Sequence, residues 1–407
     1  MKKIVFAKSN INHNEYVYPY MHDDIAQKNN KTRPMFIPDY HAPLDKVYQD
    51  NGYQVVHKSI KKAYIESDEE PFIYLISPQP NIFALFTEQY TKLKSYFTNI
   101  DPMIIECVNE GRCAFVVHNC KEQYEGDTQV ENDLHNFFID CGFTDPRKII
   151  MLETSQNADT SNCFNFVKWN YFETAVRLMK FSIGLDQKFK SNYKKFLCLN
   201  FTPRYHRRDF MYAMQDYNLL DQFNASHNDK KLPLTYDVDD HNVHLSKQKD
   251  LKIKPSSGHI PMLVKDVNHW NTLHDRLTTE NLINIVTETP FQNKDLLFIT
   301  EKTFKPIILK MPFIILGNGG TLRYLHSLGF KTFGHMWSEE YDLIFDKEKR
   351  MAEICKVVKN IAMLPNKQVR NLVEKNYDIL EHNYNLLMQR RPENVVFDAV
   401  ENTISRL

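Results

Sequence analysis

Residues 298–320 of the chain read FITEKTFKPIILKMPFIILGNGG. A Thr-Glu-Lys triplet opens an amphipathic segment, an apolar run follows at 313–317, and three of the eleven glycines in the 407-residue chain end that run. A helix start, a buried strand and a glycine-rich turn in this order are typical of an α/β unit with parallel strands. The stretch therefore predicts a strand that ends in a strand-to-helix turn.

The rest of the chain repeats this alternation. Short apolar runs, spaced by helical patterns, are found at 3–7, 53–57, 72–76, 113–118, 148–152, 196–200, 282–288 and 313–317. The helical patterns include 165–181. The basic segment 184–195 lacks a periodic apolar face and is predicted to be a linker, and the polar stretch 220–258 is predicted to be a long excursion or a small subdomain. The fold class predicted is α/β, with two Rossmann-like domains (1–185 and 192–407) that face a cleft, and with a helical C-terminus.

Composition excludes several classes of protein. Lys and Arg balance Asp and Glu at 51 each, so the whole chain is neither a basic nucleic-acid binder nor an acidic disordered segment, although a local basic face remains open. Seven cysteines stand singly, which argues against a disulfide framework or a structural zinc site. With no signal-peptide pattern and no apolar run of membrane-spanning length, we expect a cytoplasmic protein without a membrane span. The excess of Asn, Lys, Tyr, Phe and Ile is typical of an AT-rich coding genome, which indicates a bacterium or a virus-infected host cell.

The glycine turn offers two interpretations. Gly317, Gly319 and Gly320 would let the backbone approach a phosphate, with free N–H groups at the start of a helix that Thr321 caps. A tight turn that needs positive φ is the simpler alternative.

The triplet at 300–302 raises a similar choice. Thr300 is predicted to cap a helix, whereas Lys302 in the first turn opposes the helix dipole. Glu301 and Lys302 are adjacent, so we expect them not to face each other. A lysine that neutralises a diphosphate would explain Lys302, and a solvated lysine is the alternative.

Two further strand ends carry polar residues. Asn200 ends the strand at 196–200, and Arg207 and Arg208 then enter a helix, where arginine suits a bidentate contact to phosphate. Glu288 ends the strand at 282–288, where a carboxylate can bind ribose hydroxyls. A solvated basic turn and a capping carboxylate are the respective alternatives.

Together these features resemble the α-1,3-fucosyltransferase-like glycosyltransferases. The resemblance covers about 196–340 and rests on 286–289, on 298–302, on 312–317, and on 199–200 followed by Arg207. It implies a GT-B fold and binding of a nucleotide-diphosphate sugar through these segments. Thr289 and Pro290 replace the Asn-Ser of the family, so the resemblance implies neither the base nor the sugar.

The resemblance implies an inverting glycosyltransferase that needs no metal and no cofactor beyond the nucleotide sugar. Its general base is expected in the N-terminal half, at Glu122 or Glu125, with Asp23 and Asp24 as rivals. The D-x-D spacing of 237–239 offers a divalent-cation alternative, but it does not follow an apolar strand.

The acceptor and the partners remain alternatives. A glycan or lipid-linked sugar is one, and a hydroxymethylated base in DNA is another. DNA is permitted by basic clusters at 204–208 and at Lys188, Lys190, Lys194 and Lys195. A non-catalytic nucleotide-sugar-binding protein is the third hypothesis. Nothing in the sequence indicates an oligomeric state.

Overall fold

The structure is a computed structural model. It describes residues 2–8, 17–18, 33–34, 42–76, 100–119, 126–158, 160–178, 193–200, 204–226 and 280–404. The chain divides into two compact units, Met1–Thr174 with Arg391–Leu407, and Ala175–Arg390. The predicted domain ranges assigned all C-terminal helices to the second domain, whereas here the last helix packs in the first unit.

The first unit contains a six-stranded parallel sheet in the order β4-β1-β5-β6-β7-β8. Its strands are β1 Lys2–Lys8, β4 Tyr53–Ser59, β5 Phe72–Ile76, β6 Cys113–His118, β7 Ile150–Glu153 and β8 Asn165–Lys168. Two short strands, β2 Val17–Tyr18 and β3 Arg33–Pro34, form a separate antiparallel pair. The central strands β5 and β6 are buried at every residue, as their continuous apolar runs predict.

Helices cover this sheet. They are α1 Ala42–Asp50, α2 Ile60–Ile65, α3 Pro102–Glu110, α4 Thr128–Asp140, α5 Tyr171–Leu178 and, from the end of the chain, α12 Asn394–Ile404. Local sequence sets their ends: at α3, the Asp101 carboxylate accepts a hydrogen bond from the Met103 amide, and Gly111 ends the helix at a φ of 86°. Phe115 of β6 lies at the centre of the apolar core and stacks on Phe143 at 5.7 Å between ring centroids.

The second unit contains a four-stranded parallel sheet in the order β10-β9-β11-β12. Its strands are β9 Lys194–Leu199, β10 Phe223–Ser226, β11 Asn281–Thr287 and β12 Phe313–Leu316. Its helices are α6 Tyr205–Asp216, α7 Glu301–Ile308, α8 Thr321–Ser327, α9 Lys347–Met363, α10 Asn366–Lys375 and α11 Tyr377–Gln389. The chain passes from β9 to β10 on one side and then to β11 on the other, so the strand order reverses between β9 and β11.

The α/β class, the parallel sheets and the helical C-terminus are confirmed, and both sheets are consistent with a Rossmann-like fold. Two local predictions are wrong. Residues 165–168 form the edge strand β8 rather than the start of a helix, and Lys194 and Lys195 begin β9 rather than ending a linker. The strand β10, which was not predicted, lies at the start of the stretch predicted to be a long excursion or a small subdomain. Four residues are too few for a hydrophobic period to identify β8 or β10.

Two general features accompany the fold. No helix in the described part of the chain combines the length and apolar character that crossing a bilayer requires. The six cysteines among the described residues are all free thiols.

Candidate functional site

The reversal point between β9 and β11 brings polar residues together. Asn200 follows β9, and its side-chain oxygen accepts a 2.6 Å hydrogen bond from the Thr287 hydroxyl at the end of β11. The backbone amide of Asn200 donates to the Ser226 carbonyl at the end of β10. All three residues are buried. In open parallel sheets, ligands bind outside the carboxyl ends of strands at such a reversal, so this edge is the candidate site of the second unit.

Arg207 lies in the first turn of α6 and points towards the same strand ends. Its buried guanidinium donates from Nη2 to the carbonyls of Thr287, at 3.1 Å, and Glu288, at 3.2 Å. Burial, together with the nearby charge of Arg204, lowers the pKa of Arg207 to about 10. Nη2 therefore holds the end of β11, while burial and the positive charge of Arg204 both disfavour the charged form of Arg207.

His206 supports the same turn. Its Nε2 lies 3.0 Å from the Glu288 carbonyl, and its ring stacks on Phe291 at 5.3 Å between centroids. Burial, with the charge of Arg207, lowers the pKa of His206 to about 3. The imidazole is therefore neutral at physiological pH, and since the carbonyl can only accept, Nε2 carries the proton.

Glu288 is placed at the reversal point as predicted, but its carboxylate is occupied. Oε1 accepts from the Thr300 amide at 3.1 Å and from the Thr303 hydroxyl at 2.6 Å. Oε2 accepts from the Thr300 hydroxyl at 2.6 Å and from the Thr289 amide at 3.2 Å. The side chain ties the end of β11 to the start of α7, which is the capping alternative rather than a free ribose ligand.

The start of α7 follows the sequence prediction in one respect and contradicts it in another. Thr300 is the N-cap, and its hydroxyl accepts from the Lys302 amide. The prediction that Glu301 and Lys302 do not face each other is wrong, because Lys302 Nζ lies 2.8 Å from Glu301 Oε1 and 3.2 Å from Thr300 Oγ1. The lysine side chain folds back over the helix start, and it is 29% exposed.

The buried Glu301 explains this fold-back. Burial by itself would raise the pKa of Glu301, but the charges of Lys302 and Lys305 outweigh it, and the pKa is lowered. A carboxylate in the first turn also interacts favourably with the helix dipole. Lys302 thus neutralises a buried carboxylate while its ammonium group reaches the surface.

The three glycines each serve a different steric need. A Cβ at Gly317 would lie 3.2 Å from Glu288 Cβ, and one at Gly319 would lie 3.1 Å from the Ile344 carbonyl oxygen. Gly320 has a φ of 84° and is the N-cap of α8, so the prediction that Thr321 is the cap is wrong. These contacts require small residues whether or not a ligand binds.

The start of α8 already contacts an anion from the same chain. The Asp342 carboxylate accepts from the amides of Leu322, at 2.9 Å, and Arg323, at 3.0 Å. The Asp342 carbonyl accepts from the Gly320 amide. The amides predicted to face a phosphate are therefore bonded to Asp342.

The first turn of α6 differs from the starts of α7 and α8, because its N-cap residue Arg204 makes no side-chain capping bond. Arg204 is exposed, Tyr205 is 77% exposed, and Arg208 lies over the Tyr205 ring at 5.0 Å. The helix start that contains the buried Arg207 therefore also carries two more accessible arginines and an exposed aromatic ring.

The residues predicted to supply the general base or the divalent-cation site lie outside the described part of the chain. Glu122, Glu125, Asp23 and Asp24 lie outside the described residues, as do Asp237 and Asp239. Within the described ranges, no three His, Cys, Asp or Glu side chains come together as a metal site would require.

Two lysines of the basic cluster predicted in the linker make hydrogen bonds within the second unit. Lys195 is buried and donates from Nζ to the Ala362 carbonyl, and Lys194 donates to the Asp221 carbonyl. Lys188 and Lys190 lie outside the described residues. Lys194 and Lys195 therefore stabilise the second unit at the start of β9.

A carboxylate that the sequence analysis missed lies in the first unit. Glu153 ends β7 and is fully buried, with Oε2 accepting from Asn119 Nδ2 and Oε1 from the Ser155 amide, both at 3.0 Å. Burial raises the pKa of Glu153 to about 7. The apolar run at 148–152 could have revealed it, since Glu153 is the next residue and carboxyl ends of strands are the expected location.

Aromatic and amide groups surround this carboxyl edge. His118 ends β6, and its ring lies 4.7 Å from Tyr171 and 5.6 Å from Trp169, both in edge-to-face contact. Asn170 follows β8, and its side-chain oxygen accepts from the Glu173 amide, while its buried Nδ2 has no hydrogen-bond partner among the residues that the structure describes. Buried polar groups of this kind cluster at functional sites more often than elsewhere.

Comparison of the chain with protein-family models, with curated proteins and with solved structures finds no match.

Proposed function

We propose that the protein is an inverting glycosyltransferase that uses a nucleotide-diphosphate sugar, and that the diphosphate binds at the reversal point between β9 and β11. The proposal rests on one observation above all. The buried Arg207 donates to the carbonyls at the end of β11, beside the reversal of strand order where open-sheet proteins bind ligands, and Arg204 and Arg208 belong to the same helix start. The sequence resemblance to fucosyltransferase-like enzymes supplies the reaction class.

Electrostatics favour an anionic ligand there. The pKa of Arg207 is lowered by burial and by Arg204, so positive charges are held close together at an energetic cost. A diphosphate would relieve this repulsion and would meet guanidinium groups that suit bidentate contacts to phosphate oxygens. The same charges would stabilise the leaving diphosphate, which is where negative charge develops during transfer.

Lys302 is a further cation of the proposed site. An ammonium group has three donors, and Thr300 and Glu301 accept from two directions. One donor direction remains for a phosphate oxygen, and the contact to Glu301 holds the lysine in place before the ligand arrives. In this proposal, the positive charge of Lys302, which helix capping does not explain, binds the diphosphate.

The other residues that were predicted to bind the nucleotide sugar support the proposed site without contacting the ligand. Asn200, Glu288 and Thr300 join β9, β11 and α7, and Gly317 makes room for Glu288. Gly319 and Gly320 let the Asp342 segment approach α8. A rigid framework of this kind holds the cations in a fixed geometry, which reduces the cost of ordering them around the ligand.

Thermal-shift measurements with GDP, UDP, CDP and dTDP sugars test the proposal. We expect one nucleotide class to stabilise the protein, and we expect Arg208→Ala and Lys302→Ala each to weaken its binding about 10-fold. Both side chains are partly exposed, so the variants should fold.

Lys356→Ala is the matched control. Lys356 is an exposed lysine on α9 that pairs with Glu353, so its removal deletes the same charge away from the strand ends. If no nucleotide sugar stabilises the protein, or if the control weakens binding as much as Lys302→Ala, the proposed site is wrong.

A further inference from the structure

We propose that the turn between α9 and α10 docks on an anionic phospholipid surface. The turn consists of residues 363–365, Met-Leu-Pro, between the end of α9 and the start of α10 at Asn366. Met363 enters the boundary between headgroups and acyl chains, and Lys359 and Lys367, on either side of the turn, contact lipid phosphates. The inference concerns the second unit alone and does not depend on the proposed function.

The turn exposes apolar side chains that the rest of α9 buries. Residues of α9 such as Ile354, Val358 and Ile361 pack inside the unit, whereas Met363 at its end is 74% exposed. Leu364 is partly exposed and Pro365 is exposed, so three consecutive apolar residues reach the surface. Transfer of a methionine side chain from water into an apolar layer is favourable, and a lipid surface offers such a layer.

Two lysines without acidic partners flank the turn. Lys359 precedes Met363 by four residues, so both lie on the same side of α9. Lys359 and Lys367 are exposed, and neither forms an ion pair with a residue that the structure describes. The stretch 347–375 holds eight Lys and Arg residues against three Glu, although the whole chain is balanced at 51 each. This local excess of positive charge favours an anionic partner.

The start of α10 favours phosphate as the anion. No side chain caps this helix, whereas the Asp346 carboxylate caps α9. Lys367 lies in the first turn of α10, where the helix dipole disfavours a positive charge. A lipid phosphate would offset this charge and would accept from the first amides of the helix.

The position of the turn leaves the candidate site open. Lys195, at the start of β9, donates to the Ala362 carbonyl at the end of α9, so the turn lies at the amino edge of the sheet. The candidate site lies at the carboxyl edge of the same sheet. Tyr217, at the end of α6, is 40% exposed and lies under Lys359, with Nζ 4.5 Å from the ring centroid. Tyrosine is enriched at the level of lipid headgroups, where its polar and apolar parts are both satisfied.

The apolar residues favour a lipid surface over a nucleic acid. A duplex would contact the lysines through its outward phosphates and would leave Met363 in water. Exposed carboxylates at Asp216 and Asp221, on neighbouring elements, would repel a polyanion that covers the whole edge. A lipid surface, in contrast, satisfies the methionine and the lysines together.

Co-sedimentation of the full chain with vesicles tests the proposal. We expect binding to vesicles of phosphatidylglycerol and phosphatidylcholine in equal parts, weaker binding to phosphatidylcholine alone, and a loss of affinity as salt rises. Lys359→Gln/Lys367→Gln should lower the affinity for anionic vesicles roughly 20-fold, since each lysine near the surface contributes about 5-fold. Met363→Ser should lower it about 10-fold.

Lys347→Gln/Lys349→Gln is the matched control. It removes two lysines from the first turn of the same helix, and Lys349 lies about 20 Å along α9 from Met363. The control should keep the wild-type affinity within about 2-fold. All five substituted side chains are exposed, so the variants should fold, and their thermal unfolding should match that of the wild type.

Three results would overturn the inference. The first is a wild-type protein that does not bind anionic vesicles at low salt. The second is a control that loses as much affinity as Lys359→Gln/Lys367→Gln. The third is binding to a DNA duplex that is tighter than binding to vesicles and is lost in the lysine variant but unchanged in Met363→Ser, which would assign the turn to nucleic acid.

Discussion

Replacing Glu153 with glutamine should stabilise the first unit at alkaline pH, and the gain should disappear as the pH falls. Burial raises the pKa of this carboxyl from 4.5 to about 7. Between these two values, the folded protein holds a proton that the unfolded chain releases. Stability is therefore lost as the pH rises through this window, and glutamine, which resembles the protonated acid, avoids the loss.

The size of the effect follows from the shift. A difference of 2.5 pKa units corresponds to about 3 kcal/mol at pH 8, where Glu153 is ionised in both states. At pH 5 the unfolded chain is only partly ionised at this residue, and the cost is about 1 kcal/mol. The free energy of unfolding of Glu153→Gln relative to wild type should thus rise by about 2.5 kcal/mol from pH 5 to pH 8.

Native-state hydrogen exchange of the β6 and β7 amides measures this quantity in the first unit alone. Comparing wild type and Glu153→Gln at the same pH cancels the intrinsic exchange rates. The ratio of their protection factors should grow roughly 70-fold from pH 5 to pH 8. Hydrogen bonds that glutamine alters shift both ends equally, so only the change with pH is interpreted.

A ratio that stays constant over this range would refute the reasoning, since it would mean that Glu153 titrates alike in the folded and unfolded states. Glu131→Gln provides the comparison for a second buried carboxylate of the unit. A pH dependence common to both variants would belong to the unit as a whole and not to Glu153.

Two further predictions concern the second unit. Thr300→Val removes the N-cap hydroxyl of α7 and a donor to Glu288, so thermal unfolding should show a loss of about 1–2 kcal/mol, and Thr300→Ser should recover most of it. His206, whose pKa burial lowers to about 3, should show no NMR titration of its ring from pH 8 to pH 4.5. Because the unfolded histidine protonates first, its stabilising contribution should be lost as the pH falls from 6.5 towards 3. A ring that titrates near pH 6.5 would contradict the buried placement.

Local sequence sufficed for the strands that are buried in the middle of a sheet. The runs at 72–76 and 113–118 match β5 and β6 residue for residue, because burial on both faces demands an unbroken apolar run. The four-residue strands β8 and β10 were missed, since their pairing with a neighbour rather than their own pattern makes them strands.

The candidate site was predicted in its location more than in its contacts. Asn200, Arg207, Glu288 and Thr300 were selected as ends of elements, and they do meet at the reversal of strand order. The partners of each side chain depend on distances across the sheet. Glu288 therefore reads as a ligand in the sequence and binds Thr300 and Thr303 in the structure.

The sequence by itself determined the α/β class, the position of most strands and the start of α7 at Thr300, because propensity, burial period and capping act over a few neighbouring residues. Only the tertiary structure decided the strand order that joins β9 to β11, the return of α12 to the first unit, and the burial that brings the pKa of Glu153 near neutrality. The tertiary structure also explains the three glycines. A side chain at Gly317 would meet Glu288, one at Gly319 would meet the Ile344 carbonyl, and Gly320 has a positive φ. Such contacts join residues far apart in the chain, and no local pattern records them.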